Sequence, residues 1–222
     1  MTITTKRFAH KILICASALL WLPASITSQA AEPEPAFTET FADRTLLTQI
    51  QKGGFVLYMR HGTTDNSRAD RAPQVDLNDC STQRVLNDEG RKLAVAVGQA
   101  FRKAKIPVGE IFHSPLCRAR ESTELAFPDM RSQFQQELNL MYTANLTTEQ
   151  KKPVIAATRK ILSAPVPPNS NRIIVAHAPN MADLIGYFVK PEGTVVVIRP
   201  GGANGFEYVA SIPPSLWNQL LK

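Results

Sequence analysis

The chain has 222 residues, of which 44% are hydrophobic and 20% are charged, and its formal net charge is +6. This length suits one α/β domain with a complete hydrophobic core. A nucleic-acid-binding protein would carry clustered lysines and arginines, and because the sequence has no such run we expect no nucleic-acid partner.

The first thirty residues have the pattern of a secretory signal. Lys6, Arg7 and Lys11 form a basic start, residues 12–26 are almost all apolar, and residues 28–30 offer a small-residue cleavage pattern. An apolar run of roughly 15 residues is too short for a membrane span, which needs about 20. We therefore predict that residues 1–30 are a signal peptide and that the mature protein is periplasmic or secreted, without stable membrane insertion. Cleavage would lower the formal charge from +6 to +3, since three basic residues and no acidic ones are removed.

After the signal, the sequence divides into a lead-in and one main domain. Residues 31–52 contain prolines and acidic residues followed by a helical pattern near residues 43–51, so we predict a tether that leads into a first helix. We assign residues 53–222 to a single domain. The one linker-like segment in it, residues 164–171, has too little chain after it to form a second domain.

Strands and helices alternate along this domain. Residues 55–59 are a short apolar run that predicts a buried strand, and the polar, aperiodic residues 63–81 predict a long loop of the kind that tends to be functional. Asn87 caps a predicted helix whose apolar stripe includes Val97 and Phe101. The other predicted strands are 108–112, 173–176, 194–198 and 206–211, and the other helices are 115–126, 147–162, 179–188 and 214–221. This alternation predicts an α/β fold, a three-layer α/β/α sandwich with a mainly parallel central sheet.

Polar side chains follow three of these strands, at the point where each strand ends. Arg60 and His61 follow the first strand, His113 follows the second, and His177 follows the third. The carboxyl ends of parallel strands lie along one edge of a sheet, where open α/β folds bind their ligands. We therefore expect these residues to approach one another.

The second strand leads into a helix with a clear start signal. Ser114 is a suitable N-cap and Pro115 a suitable first helical residue, which places Arg118 in the opening turn. The guanidinium of Arg118 would then lie beside free backbone N–H groups, and the two together would form an anion site. The sequence therefore predicts a site for a dianion such as a phosphoryl group.

Four side chains are expected around one small volume: Arg60, His61, Arg118 and His177. Phosphate binding alone would need arginines but no pair of histidines. One imidazole can attack phosphorus and form a phosphohistidine that water hydrolyses, while the other stabilises the charge of the transition state. The arginines supply the positive charge that Mg²⁺ supplies elsewhere, so we expect no metal and no cofactor.

Several segments resemble the signature blocks of the histidine phosphatase superfamily, which includes phosphoglycerate mutases and acid phosphatases. They are Arg60-His61-Gly62, Ser114-Pro115-Leu116-x-Arg118-Ala119, Val175-Ala176-His177 and the helix start Leu86-x-x-x-Gly90-Arg91. The resemblance covers residues 55–211 in the family's order. It implies a phosphoglycerate mutase-like fold, and the signal and short length point to a small exported bacterial branch.

The resemblance also implies roles for individual residues. His61 would be the nucleophile, Arg60 and Arg118 the phosphate clamps, and His177 the second histidine of the pocket. We also expect three substrate-binding residues: Gly62, Thr64 and Arg84.

The sequence departs from the family at the proton donor. Ala178 stands where the acid phosphatase and phytase branch has an aspartate. We predict Glu137 as the general acid, since a leaving alcohol needs a proton; a solvated surface glutamate is the other interpretation. Without a dedicated acid, good leaving groups such as those of phosphohistidine or an acyl phosphate would be favoured.

Two cysteines follow the signal segment, Cys80 and Cys117. In an oxidising compartment such a pair favours a disulfide, which would pin the long loop against the helix of Arg118; two reduced thiols are the alternative. Two cysteines supply too few ligands to complete a metal site. For His113 we expect a structural hydrogen bond to a backbone carbonyl.

These features predict an exported, metal-independent phosphatase that hydrolyses phosphate monoesters through a phosphohistidine on His61. Its substrate would be a phosphorylated small molecule or a sugar phosphate of the bacterial envelope. The alternative is a catalytically weak phosphate-binding or envelope-interaction module on the same fold, which would not need both histidines. A phosphatase that acts on phosphohistidine in proteins is disfavoured by export.

Overall fold

The computed structural model describes residue 2, residues 36–72 and residues 75–222. The predicted signal peptide, apart from residue 2, and residues 31–35 of the predicted tether lie outside the described residues. Within the described ranges, no helix has both the length and the hydropathy that crossing a membrane requires.

Six strands of the described chain form one mixed sheet: β1 Val56–Arg60, β2 Val108–His113, β3 Phe134–Gln136, β4 Asn171–Ala176, β5 Val195–Pro200 and β6 Phe206–Ile212. Their order across the sheet is β3-β2-β4-β1-β5-β6. The pairs β3/β2, β2/β4 and β4/β1 are parallel, whereas β5 runs antiparallel to both β1 and β6. The predicted mainly parallel sheet is confirmed, and its parallel part brings the carboxyl ends of β1, β2 and β4 together.

Six α-helices are described: α1 Arg44–Ile50, α2 Asp88–Lys103, α3 Cys117–Ala126, α4 Thr148–Ser163, α5 Ala178–Ile185 and α6 Trp217–Leu220. Their starts follow from local chemistry. The Asn87 side chain accepts the Gly90 N–H at 2.8 Å and caps α2, as predicted. Thr147 and Gln150 form a reciprocal capping box at the start of α4.

The two faces of the sheet bury two separate clusters of apolar side chains. Along β1, Leu57 and Met59 face a cluster that includes residues of α1, α2, α3 and α6. Val56 and Tyr58 face the opposite cluster, which includes residues of α4 and α5. Alternate residues of a strand point to opposite faces, so β1 supplies both cores. The three-layer sandwich is therefore confirmed.

Two details differ from the sequence prediction. The helix after β2 begins at Cys117 with Leu116 at its N-cap position, so the assignments of Ser114 as N-cap and of Pro115 as first helical residue were both wrong. The Ser114 hydroxyl is engaged by His177, as described below, and Arg118 still lies in the first turn. Strand β3 was not predicted, because three residues at the sheet edge, two of them exposed glutamines, carry no apolar run.

Candidate active site

Three neighbouring strand ends build the site. The His61 N–H, just after β1, donates to the Ala176 carbonyl at the end of β4, with an N–O distance of 3.1 Å. The Ser114 N–H, just after β2, donates to the Val175 carbonyl at 2.9 Å. His177 follows β4 directly. The parallel register thus places His61, Ser114 and His177 side by side, as expected.

His61 is held with one ring nitrogen bound and the other free. Its Nδ1 lies 2.8 Å from the Gly62 carbonyl oxygen, which can only accept, so Nδ1 carries the proton and Nε2 keeps its lone pair. Gly62 in turn donates its N–H to Ser122 Oγ at 3.0 Å. A Cβ at position 62 would lie 2.4 Å from the carbonyl oxygen of Gly90, so the start of α2 packs directly on this segment. His61 is 3% exposed.

His177 is oriented from both its ring and its backbone. Its Nε2 lies 2.7 Å from Ser114 Oγ, which also accepts the Leu116 N–H at 3.3 Å. The Ser114 hydroxyl has one hydrogen to donate, and in the tautomer in which it donates to Nε2 the proton of the neutral ring lies on Nδ1. The Tyr58 hydroxyl accepts the His177 N–H at 3.0 Å and donates to its carbonyl at 2.7 Å. Nδ1 is buried and has no acceptor among the described residues.

Both histidines are neutral in the folded protein. Their ring centroids are 5.1 Å apart. Burial holds the pKa of His61 well below 6.5, and the positive charge of Arg118 lowers it further. The pKa of His177 is well below 6.5 for the same reasons, and the nearby His61 adds to them. At neutral pH both imidazoles are therefore uncharged, and His61 presents an unprotonated Nε2.

Arg118 is fully buried and bound at one edge of its guanidinium. Nη1 and Nη2 donate to the two carboxylate oxygens of Asp70 at 2.9 and 3.1 Å. Nη1 also contacts the Arg84 carbonyl at 3.3 Å, and the Tyr142 ring lies 4.9 Å from the guanidinium carbon. Burial lowers the pKa of Arg118, while Asp70 raises it and keeps the group charged. Nε is buried and has no partner among the described residues.

Arg60 is bound in a similar way by other partners. Nη1 donates to the Val189 carbonyl at 2.7 Å, and Nη2 forms an ion pair with Glu192. The Phe188 ring lies 5.6 Å from the guanidinium carbon. Its Nε is again buried without a described partner. Like Arg118, Arg60 keeps one donor edge unused.

Three buried nitrogens of this group have no partner among the described residues: Arg60 Nε, Arg118 Nε and His177 Nδ1. Both arginines are close enough for their charges to lower the pKa of His61 and of His177. Buried N–H groups normally have partners, so an unpartnered one needs an explanation, and a missing ligand is one explanation. Three N–H donors beside a nucleophilic imidazole match the three outer oxygens of a phosphoryl group in transfer. The predicted cluster of Arg60, His61, Arg118 and His177 is thus brought together in a form suited to phosphoryl chemistry.

Arg84 lies near this cluster and beside a cavity. Its positive charge contributes to lowering the pKa of both His61 and His177. The cavity has a volume of about 250 Å³ and is lined mainly by polar residues: Asn66, Arg68, Ala69, Asp70, Arg84, Tyr142 and Asn145. The substrate contact of Arg84 stays a prediction.

Gly62 and Thr64 are in place near His61, but their described contacts are structural. Gly62 uses its N–H and its carbonyl within the protein, as given above. Thr64 is buried and pairs with Leu86 in an isolated antiparallel bridge, which ties the start of the loop to the segment before α2. Their substrate contacts stay predictions.

Glu137 follows β3 and caps a short 3-10 helix, Leu138–Leu140. Its Oε1 accepts from the backbone N–H of Asn139 at 2.8 Å and from the Asn139 side chain at 2.7 Å. It also lines a different cavity, together with Lys160 and Arg172. Among the described contacts none joins Glu137 to the two histidines, so its role as general acid stays a prediction.

The cysteine and His113 predictions can be compared directly with the structure. Cys80 and Cys117 form a disulfide, with an S–S distance of 2.01 Å, which joins the long loop to the first residue of α3. His113 Nδ1 lies 2.9 Å from the Ser114 carbonyl, a backbone contact of the kind expected for a structural histidine.

Sequence reasoning missed three residues that hold the site together: Asp70, Tyr58 and Tyr142. Tyr58 could have been found, because a tyrosine inside a fully buried strand needs a partner for its hydroxyl. Asp70 lies in an aperiodic loop, 48 residues before Arg118, and no sequence pattern connects the two. Tyr142 gave no signal either.

Comparisons with known proteins agree on one fold. A family model described as the histidine phosphatase superfamily (branch 1) matches residues 56–155. The structure of the protein histidine phosphatase SixA with tungstate is similar at a TM-score of 0.51 and 13% identity, over 72% of this chain and 97% of that chain. A mycobacterial glucosyl-3-phosphoglycerate phosphatase with VO3 is similar at 0.50 and 18% identity, over 71% and 98%. At these identities the two structures show the fold alone. No curated protein matches the chain.

Proposed function

The chain belongs to the histidine phosphatase superfamily, and from that premise we propose that it hydrolyses phosphate monoesters through a phosphohistidine on His61. One observation carries the proposal. The unprotonated Nε2 of His61 belongs to a group of residues with three buried nitrogens that have no partner in the described protein, on Arg60, Arg118 and His177. The His177 ring lies 5.1 Å from that of His61, and the charges of both arginines lower the pKa of His61. A site that only stored phosphate would not need the second imidazole.

The first step is transfer to the enzyme. Nε2 of His61 attacks phosphorus, the P–N bond forms, and the ester P–O bond breaks with its electron pair leaving on the substrate oxygen. The Nδ1–H of His61 stays bonded to the Gly62 carbonyl, which stabilises the positive ring that results. Donors of Arg60, Arg118 and His177 bind the three outer oxygens as they gain charge.

The second step regenerates the free enzyme. A water molecule attacks the phosphohistidine, the new P–O bond forms, and the P–N bond breaks with its electrons returning to Nε2. Phosphate then leaves. Because the neutral form of His61 is favoured by burial, the enzyme regains its starting state without a proton on Nε2.

The leaving oxygen needs a proton when it is an alkoxide. We propose Glu137 for this role, as the carboxylate expected from the sequence. Asp70 is unsuited to it, because Arg118 and its other hydrogen-bond donors hold its pKa below the usual value, against the opposing effect of burial, and the group stays ionised. If no acid reaches the leaving oxygen, esters with acidic leaving groups will be the better substrates.

The proposal includes a reaction that needs no metal, since the guanidinium groups of Arg60 and Arg118 supply the positive charge. It also includes export to the periplasm or the medium, which the Cys80–Cys117 bond supports because disulfides persist in oxidising compartments. We propose a phosphorylated small molecule as substrate, with a sugar phosphate of the envelope as the first class to screen. The polar cavity beside Arg84 suits a leaving group with hydroxyls.

The test uses 4-nitrophenyl phosphate in EDTA, with wild-type protein and His61→Gln, and with His113→Gln as the matched histidine control. We expect activity in the wild type and in the control, and none in His61→Gln. Rapid acid-free quenching should trap label from a ³²P substrate on His61. Equal activity of wild type and His61→Gln would overturn the proposal. An inactive wild type that still binds phosphate would favour the phosphate-binding module.

A further inference from the structure

Among the described residues, Asp70 is the one carboxylate that contacts Arg118, and we propose that it is a positioning residue for phosphoryl transfer. It holds the end of the Arg118 guanidinium so that the unused edge faces the phosphoryl group. This inference rests on the proposed function of the same site. Nothing in the sequence assigns a role to Asp70, and its place in the structure gives it one.

The geometry of Arg118 is the first argument. An arginine has five N–H hydrogens in a planar fork. Asp70 takes one from Nη1 and one from Nη2, and the Arg84 carbonyl takes the second from Nη1. The two that are left, on Nε and Nη2, lie on one edge and are parallel, which is the arrangement that binds two oxygens of a phosphate.

The second argument is the saturation of Asp70 itself. Its Oδ1 accepts from Arg118 at 2.9 Å and from the Arg84 N–H at 2.8 Å. Its Oδ2 accepts from Arg118 and from the Asn145 side chain, each at 3.1 Å. A carboxylate has about four acceptor sites, and protein donors occupy all of them. Asp70 can therefore neither take nor give a proton in the reaction, so its contribution is to hold Arg118.

The third argument is that Asp70 is itself fixed. Its side chain is 5% exposed, and Arg118 is 0% exposed. The loop that carries Asp70 is bonded through Cys80 to Cys117, the residue next to Arg118. The carboxylate and the guanidinium thus cannot separate without loss of both hydrogen bonds of a nearly buried ion pair.

An alternative is that Asp70 occupies the position of the phosphate and inhibits the site. The donor pattern argues against it. A competing carboxylate would use the edge that phosphate needs, whereas Asp70 uses the opposite end and leaves Arg118 Nε unpaired. The two ideas predict opposite effects on anion affinity, so they can be separated.

The test compares Asp70→Asn with wild type on 4-nitrophenyl phosphate and in the binding of vanadate, which mimics the transition state. We expect kcat to fall about a hundredfold, KM to change less than about fivefold, and vanadate affinity to fall with kcat, as for loss of a supporting hydrogen bond. Glu110→Gln is the matched control. It removes a carboxylate from another arginine pair, with Arg172, and should leave kcat unchanged.

A second variant covers the case in which Asp70→Asn does not fold. Asn145→Ala removes one of the four donors to Asp70 and leaves its pair with Arg118 intact. We expect kcat and vanadate affinity both to fall about threefold to tenfold. Unchanged kcat and vanadate affinity in the folded variants would overturn the role of Asp70, and tighter vanadate binding by Asp70→Asn would show competition instead. An inactive wild type overturns the proposed function, and vanadate affinity then still tests the role of Asp70.

Discussion

The two arginines beside His61 are held in unequal surroundings. Arg118 is wholly buried, and both oxygens of its partner Asp70 are bonded to it. The side chain of Arg60 is 14% exposed, and that of its partner Glu192 is 31% exposed. Each arginine keeps its Nε free, but only Arg118 lies on a helix that a disulfide joins to the loop of its partner.

The difference shows how the same chemical group can be used in two ways. A buried guanidinium depends on its partner, since removal of one member leaves a charge that water cannot reach. A partly exposed pair depends less on its partner, because water and salt reach one of its members. We therefore infer that Arg118 is the fixed side of the site and that Arg60 is the side that can adapt.

The largest expected effect is on catalysis when each arginine is shortened. Lysine at position 118 cannot bond both oxygens of Asp70 and still contact phosphate, so Arg118→Lys should lower kcat/KM about a thousandfold. Arg60→Lys should lower kcat/KM by only about a hundredfold, since water can fill the gap beside Glu192. Steady-state kinetics with 4-nitrophenyl phosphate measures both. Arg199→Lys, in the exposed pair with Glu207, is the control and should be unchanged.

Equal losses of kcat/KM in the two variants would contradict this difference between the arginines. They would mean that catalysis depends on the geometry of Arg60 as much as on that of Arg118, although Arg60 is partly exposed. A larger loss for Arg60→Lys would reverse the assignment of fixed and adaptable sides.

The next largest effect concerns the disulfide that supports the fixed side. Replacement of Cys80 and Cys117 by serine should lower the free energy of unfolding by about 4 kcal/mol, because the bond closes a loop with a sequence separation of 37. Urea denaturation of the variant and of the oxidised wild type measures the difference. Reduced wild type should match the variant. A loss below about 1 kcal/mol would show that hydrogen bonds alone hold the loop on α3.

The pH dependence of stability follows from the two histidines. The pKa of His61 and of His177 lies well below 6.5 in the folded protein, so below pH 6.5 the unfolded chain binds protons that the folded chain does not. The contribution of the two histidines to the free energy of unfolding is therefore fully present above pH 6.5. It decreases as the pH falls toward their pKa values in the folded protein, by up to about 1.4 kcal/mol per pH unit for each histidine.

Urea denaturation at pH 7.5, 6.5 and 5.5 tests this dependence. For the double variant His61→Gln, His177→Gln, the free energy of unfolding should change little between pH 6.5 and 5.5. For His113→Gln it should decrease over this range by more than in the double variant. If the double variant kept the full decrease, other groups would be its cause and the two site histidines would titrate near their ordinary pKa.

The sequence predicted most of the fold because its signals are local. The caps Asn87 and Thr147 start the two long helices, and the buried strands β1 and β4 are apolar runs of ordinary length. Strand β3 was not predicted because it is short and mostly polar and lies at the edge of the sheet. There the partner strand, and not the side chains, determines the pairing.

The site was predicted where it depends on strand ends and not where it depends on loop conformation. His61 and His177 follow directly from their positions after β1 and β4. Ser114 was assigned to a helix cap, because the sequence shows a serine before a proline but not the imidazole that lies 2.7 Å away. Asp70 could not be found at all, since the conformation of a long polar loop depends on tertiary contacts with Arg118 and Asn145.

The smallest effect is expected at the adaptable side. Glu192→Gln should lower the free energy of unfolding by less than about 1 kcal/mol, and high salt should reduce even that difference, because the pair with Arg60 is partly hydrated. Asp70→Asn should cost about 3 kcal/mol, with little dependence on salt, since its partner stays buried and charged. Urea denaturation at low and high salt measures both variants. Losses of equal size and equal salt dependence would mean that Glu192 is as dehydrated in solution as Asp70, and Arg60 could then no longer be regarded as the adaptable clamp.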